Sequence, residues 1–156
     1  MFRWDPQIKN TFDHYHHMFL LRTYAVVYAA VVLPLSLIMG FLEIWAGIFM
    51  AVIMLLFFAP FAAHHLISLQ EIHRNPEDYE VCNAVMKENH SGFARTVYLV
   101  LEVTKPNGTV LRTQSAAVFS RGVLDRHYYG NLFDKPLQVL YDEENSRLLV
   151  QMPEEK

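Results

Sequence analysis

Residues 23–70 read TYAVVYAAVVLPLSLIMGFLEIWAGIFMAVIMLLFFAPFAAHHLISLQ and, histidine apart, contain a single acidic or basic side chain, that of Glu43. One apolar run lies between Arg22 and Glu43, and a longer one lies between Glu43 and Glu71. Each run has at least the ~20 residues that a helix needs to cross a hydrocarbon layer of ~30 Å. The sequence therefore predicts two transmembrane helices joined as a hairpin.

Two prolines lie within these apolar runs. Because lipid offers no hydrogen-bond partners to the backbone, each run must stay helical, and we expect Pro34 and Pro60 to cause local kinks rather than loops. The turn of the hairpin is expected at residues 40–43. Such a short turn leaves little of the protein on the far side of the membrane.

Basic residues lie at the outer ends of the two apolar runs but not in the turn between them. Arg3, Lys9 and Arg22 precede the first run, Arg74 and Lys87 follow the second, and the turn contains none. The positive-inside rule then places both termini in the cytoplasm. We expect a multi-pass protein of the cell (plasma) membrane.

An apolar stripe at helical spacing precedes the first run. Its members are Ile8, Phe12, Tyr15 and Phe19. Two interpretations are open, a short interfacial helix or the first exposed turns of a tilted transmembrane helix. We assign residues 1–17 to an interfacial segment and residues 18–75 to the hairpin with its extension, because the proline at position 76 ends the second helix.

Small residues lie on one predicted face of each transmembrane helix. They are Ala25, Ala29, Ser36 and Gly40 in the first helix, and Gly47, Ala51 and Ala62 in the second, which also has Phe58 there. Small residues let two helix backbones approach closely in lipid. This packing serves either the hairpin itself or a contact with a partner helix, including that of a second copy in a homo-oligomer.

The composition limits what else the chain contains. Its 156 residues leave room for about 80 residues of folded structure beyond the hairpin, enough for one small domain. The formal net charge is −3 and basic residues do not cluster, which argues against nucleic-acid binding. The single cysteine, Cys82, cannot form a disulfide within the chain, which suits the reducing cytosolic side.

After Tyr79 the apolar spacing changes from helical to alternating, most clearly at Val97, Leu99, Leu101 and Val103. The predicted strands are residues 79–88, 96–104, 109–119, 136–141 and 147–151, with a Pro-Asn-Gly turn at 106–108. We therefore expect an α+β membrane protein. A two-helix transmembrane hairpin is followed by a small antiparallel β domain, residues 76–156, with about five strands in a curled sheet or open barrel.

Residues 139–146, VLYDEENS, resemble a motif of a bacterial membrane family known only by a domain-of-unknown-function label. The motif has the form Val-x-Tyr-Asp-Pro-x-Asn-Pro. Tyr141, Asp142 and Asn145 match it, whereas Glu143 and Ser146 replace both prolines. The resemblance implies N-terminal transmembrane helices and a cytoplasmic or membrane-apposed β domain, and it implies no catalytic residue. The residues themselves predict an Asx-type turn between two strands.

The histidines are the residues best able to carry chemistry. A hairpin returns its two ends to one interface, where the sequence places Asp13, His14, His16, His17, His64, His65 and His73. Three interpretations are open: an interfacial polar belt, a transition-metal or haem site with candidate ligands His14, His17, His64 and His65, and a pH sensor. We expect the polar belt and no cofactor, because the spacing matches no known ligand signature.

A long aromatic segment separates two of the predicted strands. Residues 124–133 read LDRHYYGNLF, which is longer than a typical hairpin loop. Tyr and Arg are enriched at binding hot spots, so the predicted partner-binding residues are Arg126, His127, Tyr128 and Tyr129. Alternatively, Tyr128, Leu132 and Phe133 fold inward and plug one end of a barrel.

No residue set in the sequence names a chemical reaction. A glycine-rich phosphate loop and a Gly-x-Ser-x-Gly elbow are both missing. We therefore expect no catalytic residue and no enzymatic activity: the hairpin anchors the protein in the lipid bilayer, and the β domain engages a partner protein at the cytoplasmic face. The alternative function is a metal-binding membrane protein that holds zinc or haem with its juxtamembrane histidines.

Overall fold

A computed structural model of the chain describes residues 4–91, 96–116, 118–119 and 135–152. The chain divides into two compact units. The helical unit is His17–Glu71. The sheet unit combines the chain up to His16 with the chain from Ile72 onward.

Two long helices dominate the chain before the sheet. The helical elements are α1 (Pro6–Lys9), α2 (Phe12–Val27), a π-helical turn (Tyr28–Val32), α3 (Leu33–Leu42), α4 (Ile44–Ile72) and a 3-10 turn (Pro76–Asp78). Pro60 lies inside α4 and Pro34 lies at the start of α3. Neither proline forms a loop, which confirms that part of the prediction.

The π-helical turn lies directly before Pro34. Proline has no N–H to donate to the carbonyl four residues earlier, that of Ala30, and its ring crowds that carbonyl. A wider turn relieves this conflict. At the wide turn, the Tyr28 hydroxyl donates a hydrogen bond to the backbone carbonyl of Ala51 in α4, at 3.1 Å.

The face of α2 that meets α4 differs from the predicted one. Ala25 and Ala29 are exposed. Tyr24 packs there instead, with its ring centroid 6.0 Å from that of Phe58. The prediction assumed an ideal helix throughout, and the π-helical turn changes the rotation of the residues that precede it.

Glu43 reverses the chain between α3 and α4. Its backbone is extended, with φ −152° and ψ 115°. The Glu43 N–H donates to the Met39 carbonyl at 2.8 Å, and the Glu43 carbonyl accepts from the Gly47 N–H at 3.2 Å. The helical unit is therefore a tightly turned hairpin.

Most apolar side chains of the long helices are left uncovered by the protein. The two helices, Phe12–Leu42 and Ile44–Ile72, are long and apolar enough to cross a membrane. Only 11% and 6% of their most apolar stretches are buried. The core helix of a water-soluble domain is mostly buried, whereas these two helices are mostly exposed.

Six antiparallel strands form one curled sheet within the described residues of the sheet unit. The strands are β1 (Glu80–Ser91), β2 (Thr96–Thr104), β3 (Val110–Gln114), β4 (Val118–Phe119), β5 (Pro136–Asp142) and β6 (Arg147–Val150). Their order is β3-β2-β1-β5-β6, and the short β4 pairs with the start of β2. Two long apolar helices followed by this sheet confirm the predicted α+β class.

The long central strand β1 serves two neighbours. Residues 80–85 pair with β5, and residues 83–91 pair with β2. The register with β2 shifts between Met86 and Glu88. A bulge of this kind bends the strand and increases the local twist, which suits a curled sheet.

The main core cluster of the sheet unit lies on one face of the sheet. Its strand members alternate along the chain: Cys82, Ala84 and Met86 in β1, Leu99, Leu101 and Val103 in β2, Leu137, Val139 and Tyr141 in β5, and Leu148 and Val150 in β6. Phe12, from the first turn of α2, completes this cluster. Burying one such aromatic side chain contributes roughly 1.5–3 kcal/mol. The N-terminal segment is thus part of the core.

Backbone contacts also hold the N-terminal segment to the sheet unit. Thr11 forms an isolated antiparallel bridge with Gln151, just beyond β6. The Met152 N–H donates to the Asn10 carbonyl at 2.8 Å. The segment therefore lies beside the strand that ends the sheet.

Candidate functional site

The rings of His14 and His73 meet in the sheet unit. Nδ1 of His14 lies 3.0 Å from Nε2 of His73, a hydrogen-bond distance. His14 is in the first turns of α2, and His73 directly follows the end of α4. The pair therefore joins the N-terminal segment to the chain that leads into β1.

Trp4 packs against both rings of this pair. Its ring centroid lies 5.0 Å from that of His14 and 4.9 Å from that of His73. The neighbouring Asp5 caps α1, because its carboxylate accepts from the Gln7 N–H at 2.8 Å. Sequence analysis did not single out Trp4.

The second nitrogen of His73 shows how the pair shares its hydrogens. His73 is only 6% exposed, and its Nδ1 is buried without a hydrogen-bond partner among the described residues. A buried N–H without an acceptor is rarer than an acceptor without a donor. We therefore assign the hydrogen of His73 to Nε2, from which it is donated to Nδ1 of His14. Neutral His14 then carries its own hydrogen on Nε2.

Burial favours the neutral form of both histidines. It lowers the pKa of His14 to about 4, with further lowering by His73 and Lys9. Burial also lowers the pKa of His73, an effect that Asp5 opposes and Lys9 reinforces. A neutral pair needs one donor and one acceptor at the contact, in agreement with the assigned hydrogens.

A second histidine pair lies in the helical unit. Nδ1 of His17 is 2.9 Å from Nδ1 of His65. The Tyr24 ring stacks on His65 with a centroid distance of 5.8 Å, and the His64 ring lies 5.3 Å from that of His65. This side of the hairpin is therefore lined by imidazole and phenol rings.

The four candidate metal ligands are divided between the two units. His14 belongs to the sheet unit, whereas His17, His64 and His65 belong to the helical unit. Among residues 4–91, 96–116, 118–119 and 135–152, no group of three or more His, Cys, Asp or Glu side chains could hold a metal ion. Structural zinc sites use four protein ligands and catalytic ones three. Each histidine pair supplies two.

Asp13 is a buried carboxyl in the same segment as His14. It is 5% exposed, and its Oδ2 has no hydrogen-bond partner among the described residues. Burial raises the pKa of Asp13 to about 7, although its own backbone N–H and the Arg147 guanidinium act in the opposite direction. Asp13 therefore changes charge near neutral pH. In sequence it resembles an ordinary acid in the first turn of a helix.

Arg147 is shared by several neighbours of Asp13. It forms a hydrogen bond with the side chain of Tyr79, whose pKa is raised by burial. It also acts on Asp142. Burial opposes the charge of Asp142, but hydrogen bonds from Asn145 and from the Glu144 backbone hold the Asp142 pKa below its ordinary value. An ionised Asp13 would thus share the Arg147 guanidinium with Tyr79 and Asp142.

The segment that carries the family resemblance forms the turn between β5 and β6. The Asp142 carboxylate accepts from the Asn145 N–H at 3.1 Å and from the Asn145 side-chain amide at 2.7 Å. Ser146, in place of a motif proline, has φ 51°, which proline cannot adopt. The predicted Asx-type turn is confirmed. The contacts of this segment are those of a turn between two strands.

The predicted partner-binding residues, Arg126, His127, Tyr128 and Tyr129, lie outside the described residues. Both interpretations of residues 124–133, a binding surface or a plug in a barrel, therefore stay predictions.

Comparison of the chain with protein-family models, curated proteins and solved structures finds no match. The resemblance at Tyr141, Asp142 and Asn145 stays a prediction as well. What the site offers chemically is two histidine pairs and one buried carboxyl whose pKa is raised to about 7.

Proposed function

We propose that this chain is a membrane-anchored, non-enzymatic module that holds a small β domain at the cytoplasmic face of a membrane and presents it to a partner protein. The observation that carries this proposal is the exposure of the two apolar helices. Phe41, for example, is 90% exposed, and Trp45 is 76% exposed. Each large apolar side chain moved out of water contributes roughly 1.5–3 kcal/mol, so a bilayer around these helices is strongly stabilising.

The proposed spans are residues 19–42 and 44–63. Twenty residues of helix rise about 30 Å, which matches the hydrocarbon layer. Glu43 then lies at the far interface, and the flanking basic residues favour the cytoplasmic side for both termini. Asp13, His14 and His73 lie outside these spans.

The sheet unit supports the second half of the proposal because it has its own core of side chains from β1, β2, β5 and β6. A domain with its own core needs no bilayer to cover it. Its proposed partner-binding surface is the segment with Arg126 and Tyr129, and an edge strand is the second mode by which a sheet can bind a peptide.

Extraction of membranes with alkaline carbonate tests the anchoring. An embedded chain stays in the pellet, whereas recovery of the chain in the wash would refute the bilayer anchor. A comparison of proteins that co-purify with wild type and with the Arg126→Ala/Tyr129→Ala variant then tests the partner surface. We expect the variant to lose a co-purifying protein and to lose roughly 1 kcal/mol or less of folding stability. Glu144→Ala, at an exposed turn position, is the control.

A large loss of stability in this double variant, with all co-purifying proteins retained, would identify the segment as part of the core. It would refute the proposed binding surface and leave the anchor unaffected. The metal-binding alternative gains no specific support, since no group of three or more His, Cys, Asp or Glu side chains among the described residues could hold a metal ion.

A further inference from the structure

Three kinds of contact hold residues 4–16 against the rest of the sheet unit. The Phe12 side chain enters the core. The Thr11–Gln151 bridge and the hydrogen bond from Met152 to Asn10 join the backbones. The His14–His73 pair closes the end of the segment. We call residues 4–16 the strap.

Docking of the strap changes which protonation states of Asp13, His14 and His73 are favoured. Docking buries Asp13 with an unpartnered carboxylate oxygen, and it brings two imidazole nitrogens to 3.0 Å. If both facing nitrogens carried hydrogens, the hydrogen bond would be replaced by repulsion. If Asp13 were ionised, a buried charge would rely on an arginine with other partners. The charged and titratable groups that act on these three residues are Asp5, Lys9, Tyr79, Asp142 and Arg147.

We propose that docking of the strap on the sheet is coupled to proton binding, because the docked strap favours a protonated Asp13 and neutral His14 and His73. Closure therefore transfers protons: Asp13 takes one up, and the histidines release theirs. This proposal depends on contacts within the sheet unit and requires neither a bilayer nor a partner.

The two kinds of group have opposite effects on the pH dependence of closure. Asp13 has its pKa raised from 3.8 to about 7 in the closed state, so its contribution is fully present below pH 3.8 and is lost as the pH rises through about 7. His14 has its pKa lowered from 6.5 to about 4, so its contribution is present above pH 6.5 and is lost as the pH falls through about 4. His73 acts in the same direction as His14.

These contributions change the closure equilibrium of the strap in opposite directions. Between pH 7 and pH 5, protonation of Asp13 strengthens closure by about 50-fold by linkage. Over the same interval, His14 alone weakens closure by about 20-fold, and His73 adds to that loss. In wild type the effects offset each other. Removing the Asp13 contribution should reveal that of the histidines, and removing the histidine contribution should reveal that of Asp13.

Amide hydrogen exchange in the full chain, held in detergent micelles or nanodiscs, measures closure directly. The reporter is the Met152 N–H, which bonds to the strap. Its protection factor, corrected for intrinsic exchange at each pH, reports the fraction of open strap. The Asp13→Asn variant keeps a neutral side chain of the same shape. His14→Asn with His73→Gln keeps an acceptor and a donor near the positions of Nδ1 and Nε2 without a titration in this range.

We expect Asp13→Asn to lose at least 20-fold in protection between pH 7 and pH 5, and the histidine double variant to gain about 50-fold, with wild type between them. The controls are His90→Gln and Asp78→Asn, both at exposed positions of the sheet unit, and they should follow wild type. The same pH dependence in all variants would refute the proposal.

A measurement on wild type keeps the test decisive if a variant fails to close at any pH. The carboxyl carbon of Asp13 and the imidazole nitrogens of His14 and His73 can be followed by NMR. At pH 5.5, a closed strap favours a protonated Asp13 and two neutral histidines. An ionised Asp13 in a protein with a protected Met152 N–H would overturn the inference.

Discussion

Gly47 lies so close to Gly40 that a β-carbon built on Gly47 would stand 2.7 Å from the Gly40 Cα and 2.5 Å from the Ser36 carbonyl oxygen. A β-carbon built on Gly40 would have 4.0 Å to its nearest neighbour, which is ordinary contact. The two glycines face each other across the hairpin, yet only one of them is required by the close approach of the helices.

We predict that Gly47→Ala destabilises the hairpin by roughly 1–3 kcal/mol, because the added methyl group meets backbone atoms that cannot move aside. Gly40→Ala is the matched control and should be neutral or stabilising by up to about 1 kcal/mol, since alanine is the better helix former. Unfolding of the chain in mixed micelles, followed by circular dichroism, measures both. Equal losses in the two variants would contradict the asymmetric approach.

The orientation of the hairpin can be tested with introduced cysteines. The native Cys82 is 2% exposed and would report burial rather than sidedness, so it is first replaced by Ala. In intact cells, Glu43→Cys at the hairpin turn should react with a membrane-impermeant maleimide, whereas Glu144→Cys in the turn between β5 and β6 should react only after permeabilisation. The reverse pattern would invert the proposed topology.

The contribution of the N-terminal segment to the sheet can be measured at Phe12. Phe12→Ala removes a side chain that is 1% exposed and should cost about 3–5 kcal/mol, a large part of the stability of a small domain. Gln7→Ala, at an exposed position of the same segment, should change stability by less than about 0.5 kcal/mol. Amide exchange in β2 and β5 under increasing urea reports both values. Unchanged amide exchange of β2 and β5 in the Phe12→Ala variant would show that the core persists without this side chain.

Metal content separates the two functions considered for the histidines. We expect purified protein to carry no stoichiometric transition metal, because the described residues contain no group of three or more side chains that could hold one and the His14–His73 contact is already a hydrogen bond. Elemental analysis gives the metal content, and nitrogen-15 NMR gives the ring hydrogens of His73. One metal per chain that disappears in the His14→Asn/His73→Gln variant would favour the metal-binding alternative.

The features that sequence predicted best depend on local periodicity. The alternation of Leu99, Leu101 and Val103 indicated the buried face of β2, because successive strand residues point to opposite sides of a sheet. The hairpin followed from the scarcity of charge over residues 23–70, since a charge in hydrocarbon is costly. Both signals can be interpreted without knowledge of distant contacts.

The features that sequence could not predict depend on which surfaces meet. The spacing of Ile8 and Phe12 marks an apolar helix face, but it does not tell whether that face packs on lipid or on a sheet formed more than 60 residues later. Asp13 carries no sequence sign of burial, and Trp4 none of its place beside two histidines. Such contacts arise from the tertiary fold, which no short sequence window contains.

The π-helical turn before Pro34 has a consequence for the rotation of the first long helix. In a regular α-helix, every step of four residues overshoots a full turn by about 40°. The wide turn absorbs one extra residue and takes back about 100°. Tyr24, Tyr28, Val32 and Ser36, each four positions apart, can therefore all face α4, where Tyr28 bonds to Ala51.

A Pro34→Ala change would restore the missing N–H and with it the regular spiral. The residues before the turn would then swing by about 100° around the helix axis and carry Tyr24 away from Phe58. The missing N–H of Pro34 thus determines which residues of the first half of the helix face α4.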